Sequence, residues 1–242
     1  MQVIVLPLVF LATFATSGSL AAPDASPEIV PVDGGLSGYG TTTRYWDCCK
    51  PSCAWKENIN TPTMTPVQTC AIDGNTVVNA SVQSGCIGGS SYMCSNQQAF
   101  VVNSTLAFGF AAGSFTGGVD NNLCCSCMLL TFQGQLAGKQ FLVQITNTGG
   151  DLGSNQFDLA IPGGGVGIFT QGCHDQWNAP WSGWGDQYGG VYSVEQCSDL
   201  PEVLQPGCRF RFEFLENVSN PQVSFQQVQC PAEIVAISNC AL

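Results

Sequence analysis

The chain has 242 residues, 14 cysteines, one histidine and a net charge of −11 with six basic side chains. That length allows one large domain or two small ones. The acidic balance argues against nucleic acid or an anionic membrane as partner, while a neutral polymer, bound by stacking and hydrogen bonds, is compatible with it.

The chain opens with an apolar run over residues 3–15, followed by TSGSLAA. A short hydrophobic core ending in small residues reads as a secretory signal peptide over residues 1–21, too short to span a bilayer. Residues 22–39 (APDASPEIVPVDGGLSGY) are rich in Pro, Gly and acids and read as a flexible leader. From residue 40 to 242 the composition is even, which suggests a single domain with no appended module. All 14 cysteines fall within it, between Cys48 and Cys240. An even number in a secreted chain points to seven disulfides. The competing thiolate-metal reading of CCSC at residues 124–127 lacks partners: His174 stands alone and no pair of CxxC motifs completes a zinc site. No metal and no cofactor are therefore expected.

Short apolar runs at residues 105–111, 128–132, 140–145, 157–161, 209–214, 223–228 and 233–237 are separated by glycine and proline, and several alternate with period two. The best helical candidates are residues 99–109 and 193–200. The pattern predicts an all-β domain, a barrel with long disulfide-tied loops and a few short helices. Asn79, Asn103 and Asn217 begin N-x-S/T triplets and are candidate glycan sites.

With one histidine and the cysteines tied up, neither a Ser-His-Asp triad nor a Cys-His pair is favoured, and carboxylates are the remaining acid-base groups. Two segments present them in unusual company. In TTTRYWDCCKPSC (residues 41–53) an extended backbone puts Tyr45 and Asp47 on one face and Arg44 and Trp46 on the other. In residues 147–165 the strand FDLAI turns Phe157, Leu159 and Ile161 to the core and leaves Asp158 on the open face. Asp151 lies seven residues earlier in a glycine loop able to fold back toward it. Singly, each acid has a plainer role as surface group, Arg44 partner or turn former.

TRYWDCCKPSC (residues 43–53) resembles the signature of glycoside hydrolase family 45, the small endoglucanases, and GGDLGSNQFDLAIPGGGVGIF (149–169) resembles the family's other hallmark. FGFAAG (108–113), CCSC, YGG (188–190) and FQQVQCPAE (225–233) follow in the family's order. The resemblance spans roughly residues 40–240. It implies a six-stranded double-psi β-barrel crossed by an open substrate groove, and hydrolysis of internal β-1,4-glucosidic bonds with inversion. By position in the motifs, Asp47 falls on the general base, Asp158 on the general acid and Asp151 on an assisting acid. Tyr45 falls on a sugar contact; Thr43, Trp55 and Tyr188 fall on residues that line the groove. The cysteine pattern implies the pairs Cys48–Cys173, Cys49–Cys86, Cys53–Cys124, Cys70–Cys94, Cys125–Cys240, Cys127–Cys230 and Cys197–Cys208. Two departures stand out. Gln156 replaces the histidine many members carry, and HDQWNAPWSGWGD (174–186) is longer and richer in Trp than in typical relatives. Trp177, Trp181 and Trp184 are either a sugar-stacking platform or packing inside a loop.

An inverting pair needs room for a water between its carboxyls, a separation of about 6.5–9.5 Å. Asp158 has to hold a proton, through burial or the charge of Asp151, and Asp47 has to ionise, aided by Lys50 or hydrogen bonds. The expected partner is a β-1,4-glucan bound by a secreted monomer. Alternatives are a xyloglucan- or mannan-type polymer, or a non-hydrolytic, expansin-like glycan binder.

Overall fold

The fold is described from a computed structural model for residues 1, 27–59, 64–118 and 120–241. The expected signal peptide lies outside the described residues, apart from Met1.

Among the described residues the strands are β1 (Ser37–Tyr45), β2 (Thr69–Cys70), β3 (Val77–Val78), β4 (Tyr92–Met93), β5 (Phe100–Val101), β6 (Leu106–Ser114), β7 (Cys127–Phe132), β8 (Gln140–Asn147), β9 (Gln156–Ala160) and β10 (Gln222–Val228). The larger sheet runs β5-β6-β8-β7-β10-β1-β9, and a further β6–β9 pairing closes six of its strands into a barrel. This is the expected barrel architecture. The pairs β1–β9 and β6–β8 are parallel; the other four pairs around the barrel are antiparallel. β2, β3 and β4 form a separate small sheet.

All nine residues of β6 are buried. Leu106, Phe108, Phe110 and Ala112 enter one core cluster, and the alternating Ala107 and Ala111 enter another. Both faces are covered, so the strand reads as an unbroken apolar run rather than an alternating one. That explains a correction: residues 99–109, expected as a helix, are β5 and β6. Two further corrections run the other way. Residues 209–214 and 233–237, expected as strands, fall instead on helix α2 (Gln205–Glu213) with its C-cap Phe214 and on helix α3 (Ala232–Ser238). In RFRFEF the alternation mimics a strand, yet Phe210 and Phe214 stack at 5.2 Å across one helical turn, and the Cys197–Cys208 disulfide anchors that helix. In α3, buried Ile234 and Ser238 stand four residues apart, and Asn239 ends the helix in the left-handed conformation. Residues 193–200 do turn, as a 3-10 helix over Val194–Asp199.

All seven disulfides form the pairs implied by the family resemblance. The stretch expected as a flexible leader differs in its second half. Val32 N–H donates to Gln227 O, Gln227 N–H to Leu36 O and Gln229 N–H to Val30 O, so residues 30–36 run along β10. Ile29 packs on the core. The apolar residues of EIVPV have backbone partners and a surface to cover, which outweighs the turn-rich composition around them.

Candidate active site

Asp47 follows β1 by two residues. Trp46, buried in the core, donates its N–H to Gly165 O at 2.7 Å and fixes the chain as it leaves the sheet. Cys48 then adopts φ 63°, a left-handed conformation unfavourable for a residue with a side chain. Disulfides Cys48–Cys173 and Cys49–Cys86 hold that turn. Gly172, in helix α1 (Gln171–Trp177), closes over it; a β-carbon there would stand 2.3 Å from Asp47 O and 2.4 Å from Cys86 Sγ. Asp47 is 7% exposed, and the Cys49 N–H donates to its Oδ1 at 2.9 Å. Burial, reinforced by the charge of Asp158 and opposed by the Cys49 hydrogen bond, pushes its carboxyl from 3.8 to about 7.

Asp158 sits in the middle of β9, flanked by buried Phe157 and Leu159, with its own side chain on the other face. It lies beside Thr43 on β1 and Ala112 on β6. Burial lifts its carboxyl from 3.8 to about 6; a hydrogen bond from Thr43 and the charge of Arg44 oppose the rise, and Asp151 adds to it. Its Oδ1 is buried and has no hydrogen-bond partner among the described residues. Gln156 connects the surroundings: its Nε2 donates to Thr43 Oγ1 at 3.0 Å, and its Oε1 accepts from Gly153 N–H at 2.8 Å.

The two acids border one groove. A cavity of about 360 Å³ is lined by residues including Thr43, Arg44, Gln187 and Tyr188. An adjoining one of about 430 Å³ is lined by residues including Asp47, Asn147, Ile168 and Phe169. Tyr45, Asp151 and Asp158 line both, so the two are halves of a single groove meeting at the acids. Asp151 is exposed in the loop between β8 and β9. The Tyr45 phenol is held well above its usual 10, first by burial and then by the Asp47 charge, and receives the Asn147 Nδ2 donor at 3.3 Å.

The structure thus brings together Thr43, Tyr45, Asp47, Asp151, Asp158 and Tyr188. Trp55 stands outside the lining of both halves, with Lys50 Nζ 3.7 Å above its ring centre. Lys50 itself is a correction: it donates to the Ala80 and Val82 carbonyls rather than assisting Asp47. Arg44 does not partner Asp47 either. Its Nε donates to Gly189 O at 3.1 Å and its charge acts on Asp158. Arg44, Asn147, Gln187, Ile168 and Phe169 were not foreseen as lining. A basic residue inside the first signature of so acidic a chain, and an Asn closing β8 before a Gly-Gly turn, were the available signals. Trp177, Trp181 and Trp184 line neither half of the groove. Among the described residues no group of His, Cys, Asp and Glu could hold a metal ion, and no helix is long and apolar enough to cross a membrane.

A closed β-barrel with two buried carboxyls, both raised by burial, along an open groove has the parts of an acid-base glycoside hydrolase. The comparisons agree and are more specific. Residues 39–241 match the model of glycosyl hydrolase family 45, and the chain belongs to that family. It is 94% identical to an endoglucanase of Phaedon cochleariae over the whole of both chains. It is 49% identical to an endoglucanase of Cryptopygus antarcticus over 88% of this chain and 93% of that one. The crystal structure of a cellulase from the same springtail superposes with a TM-score of 0.80 at 48% identity, covering 85% of this chain and 98% of that one.

Proposed function

We propose that the protein is a secreted endoglucanase that hydrolyses internal β-1,4-glucosidic bonds with inversion, Asp158 acting as general acid and Asp47 as general base. The observation that carries this reading is the pair itself. Two carboxyls about 110 residues apart in sequence line one groove, the charge of Asp158 raises Asp47, and Asp47 finds its hydrogen-bond partner in the Cys49 N–H. Inversion requires room for a water between the two carboxyls, a separation of about 6.5–9.5 Å.

In this mechanism a glucan lies along the groove with the scissile oxygen at the partnerless Oδ1 face of Asp158. Asp158 gives its proton to the leaving oxygen while Asp47 takes one from a water attacking the opposite face of the ring. Asp151 acts through charge, favouring the protonated form of Asp158. In the open groove the deeper burial of Asp47 gives it the higher pKa of the two, the reverse of what the roles require. A sugar ring covering Asp158 removes its remaining water and raises it, so the substrate itself sets the productive order. Tyr45, hydrogen-bonded by Asn147, lies at the acids where the two halves meet, and exposed Tyr188 offers ring surface to glucose in the half that lacks Asp47. Seven disulfides fit an oxidising compartment.

The test follows the anomeric form of the first products by NMR on a soluble cello-oligosaccharide. α-Anomers appearing first support inversion; β-anomers appearing first sink it. Full activity in Asp158→Asn would remove the acid assignment.

A further inference from the structure

The Trp-rich stretch foreseen as unusual builds a second cleft. It has a volume of about 700 Å³ and is lined by Trp177, Asn178, Ser182, Trp184, Asp199 and neighbouring loop residues, none of them shared with the groove. Trp177 and Trp184 are half-buried: each packs on the core from behind and still lines the cleft. The rim adds Trp181, which lies between lining residues Pro180 and Ser182; it is 56% exposed and stacked at 3.9 Å on His174.

The lining defines the chemistry of an occupant. Indole surfaces offer area to apolar ring faces at small conformational cost. An amide, a hydroxyl and a carboxylate stand beside them, all on exposed residues and able to bond hydroxyl groups. None of the six basic residues lines the cleft, which removes anionic ligands. A neutral chain of sugar rings meets each condition.

The position also matters. Gly183 packs on Val166, which lines the groove, so cleft and groove lie back to back across one wall. Two residues beyond Trp184, Asp186 pairs with Gly190 through both backbone hydrogen bonds, and the tip of that turn carries Gln187 and Tyr188 into the groove. We propose that the Trp177–Trp184 cleft is an auxiliary site for a neutral β-glucan chain, holding polymeric substrate at the enzyme surface without taking part in cleavage. The proposal rests on glucan being the substrate and is independent of which aspartate is the acid.

The test measures retention on insoluble cellulose by depletion from solution, in an Asp158→Asn background that prevents hydrolysis. Trp177→Ala with Trp184→Ala should weaken retention about tenfold, as expected for losing two aromatic contacts. The same pair in the otherwise unaltered enzyme should leave kcat/KM on soluble cellohexaose within about twofold, a difference too small to reflect a lost contact. Unchanged retention overturns the proposal, and so does an equal loss on cellohexaose. Should the double variant lack the native circular dichroism, Ser182→Tyr, which fills the cleft from its exposed rim, takes the same two measurements with the same expected outcomes. Cleavage by the Asp158→Asn background would count against the acid assignment alone, because retention is read from the protein and not from the sugar.

Discussion

The turn carrying Asp47 and the loop carrying Asp151 face the same groove and are built in opposite ways. Asp47 is buried in a turn held by two disulfides, a left-handed Cys48 and a glycine that admits no side chain. Asp151 is exposed in a loop that contains no cysteine and opens with Gly149 and Gly150. The contrast separates two requirements. In the proposed mechanism Asp47 aims a water and has to stay in place, because small displacements cost rate steeply. A charge that tunes a neighbour can act at longer range and tolerates motion.

Removing the fixed carboxyl should have the largest effect. Asp47→Asn keeps the shape and an acceptor for the Cys49 N–H, and should lower kcat by about 10²–10⁴. Its effect on stability has the opposite sign. Burial raises the folded-state pKa of Asp47 to about 7 from 3.8, so its favourable contribution is complete below pH 4 and is lost as pH rises through 7. At pH 8 the ionised carboxyl costs on the order of 4 kcal/mol. Asp47→Asn should therefore melt higher than the unaltered enzyme at pH 8 and equally at pH 4; a lower melting temperature at pH 8 contradicts the burial assigned to this acid.

Next comes the clamp. Replacing Cys49 and Cys86 by Ala should cost about 2–5 kcal/mol of stability. Activity should fall further than the unfolded fraction accounts for, because the turn that aims Asp47 loosens. Activity per folded molecule equal to that of the parent would show that the disulfide supports the fold without supporting the base.

How much of this was legible in the sequence follows the same division. The strand FDLAI announced Asp158 because Phe157, Leu159 and Ile161 alternate with it, and the structure buries those three residues. Asp47 was legible only through its signature: no periodicity foretells that a chain leaves its strand at Tyr45 and turns through Cys48. Disulfide pairs are tertiary facts, and spacing alone could not choose among them. The helices at α2 and α3 were missed because two-residue alternation and four-residue spacing coexist in RFRFEF, and packing decided between them. Lys50 was assigned by its nearness in sequence to Asp47, whereas the turn between them sends it to the carbonyls of Ala80 and Val82.

On the exposed side of the comparison effects should be smaller. Asp151→Asn removes a charge that raises Asp158, so the pKa of the acid falls. Two carboxyls give a bell-shaped kcat profile, which reports the substrate complex, where in the proposed mechanism the covering sugar has raised Asp158 above Asp47. Activity above the bell is lost when the acid deprotonates, so the alkaline limb of Asp151→Asn should move to lower pH, with a loss of about tenfold at the optimum. An unmoved limb would mean that Asp151 acts on the sugar and not on Asp158.

The smallest effect should come from the residue that joins the two regions. Gln156 ties the loop, through Gly153, to Thr43 and so to the hydrogen bond that Thr43 makes with Asp158. Gln156→Ala breaks both links without touching a carboxyl. The loop loses one anchor and Thr43 loses the donor that orients its hydroxyl, so the opposition to protonation of Asp158 weakens and its pKa should rise. The alkaline limb should then shift upward, opposite to Asp151→Asn, while kcat/KM falls about three- to tenfold, the value of one net hydrogen bond. Because the two variants move the limb in opposite directions, the pair tests the relay by sign and does not depend on magnitude. A shift in the same direction in both would show that Gln156 acts by holding Asp151 in place, and that Thr43 does not transmit its effect to the acid.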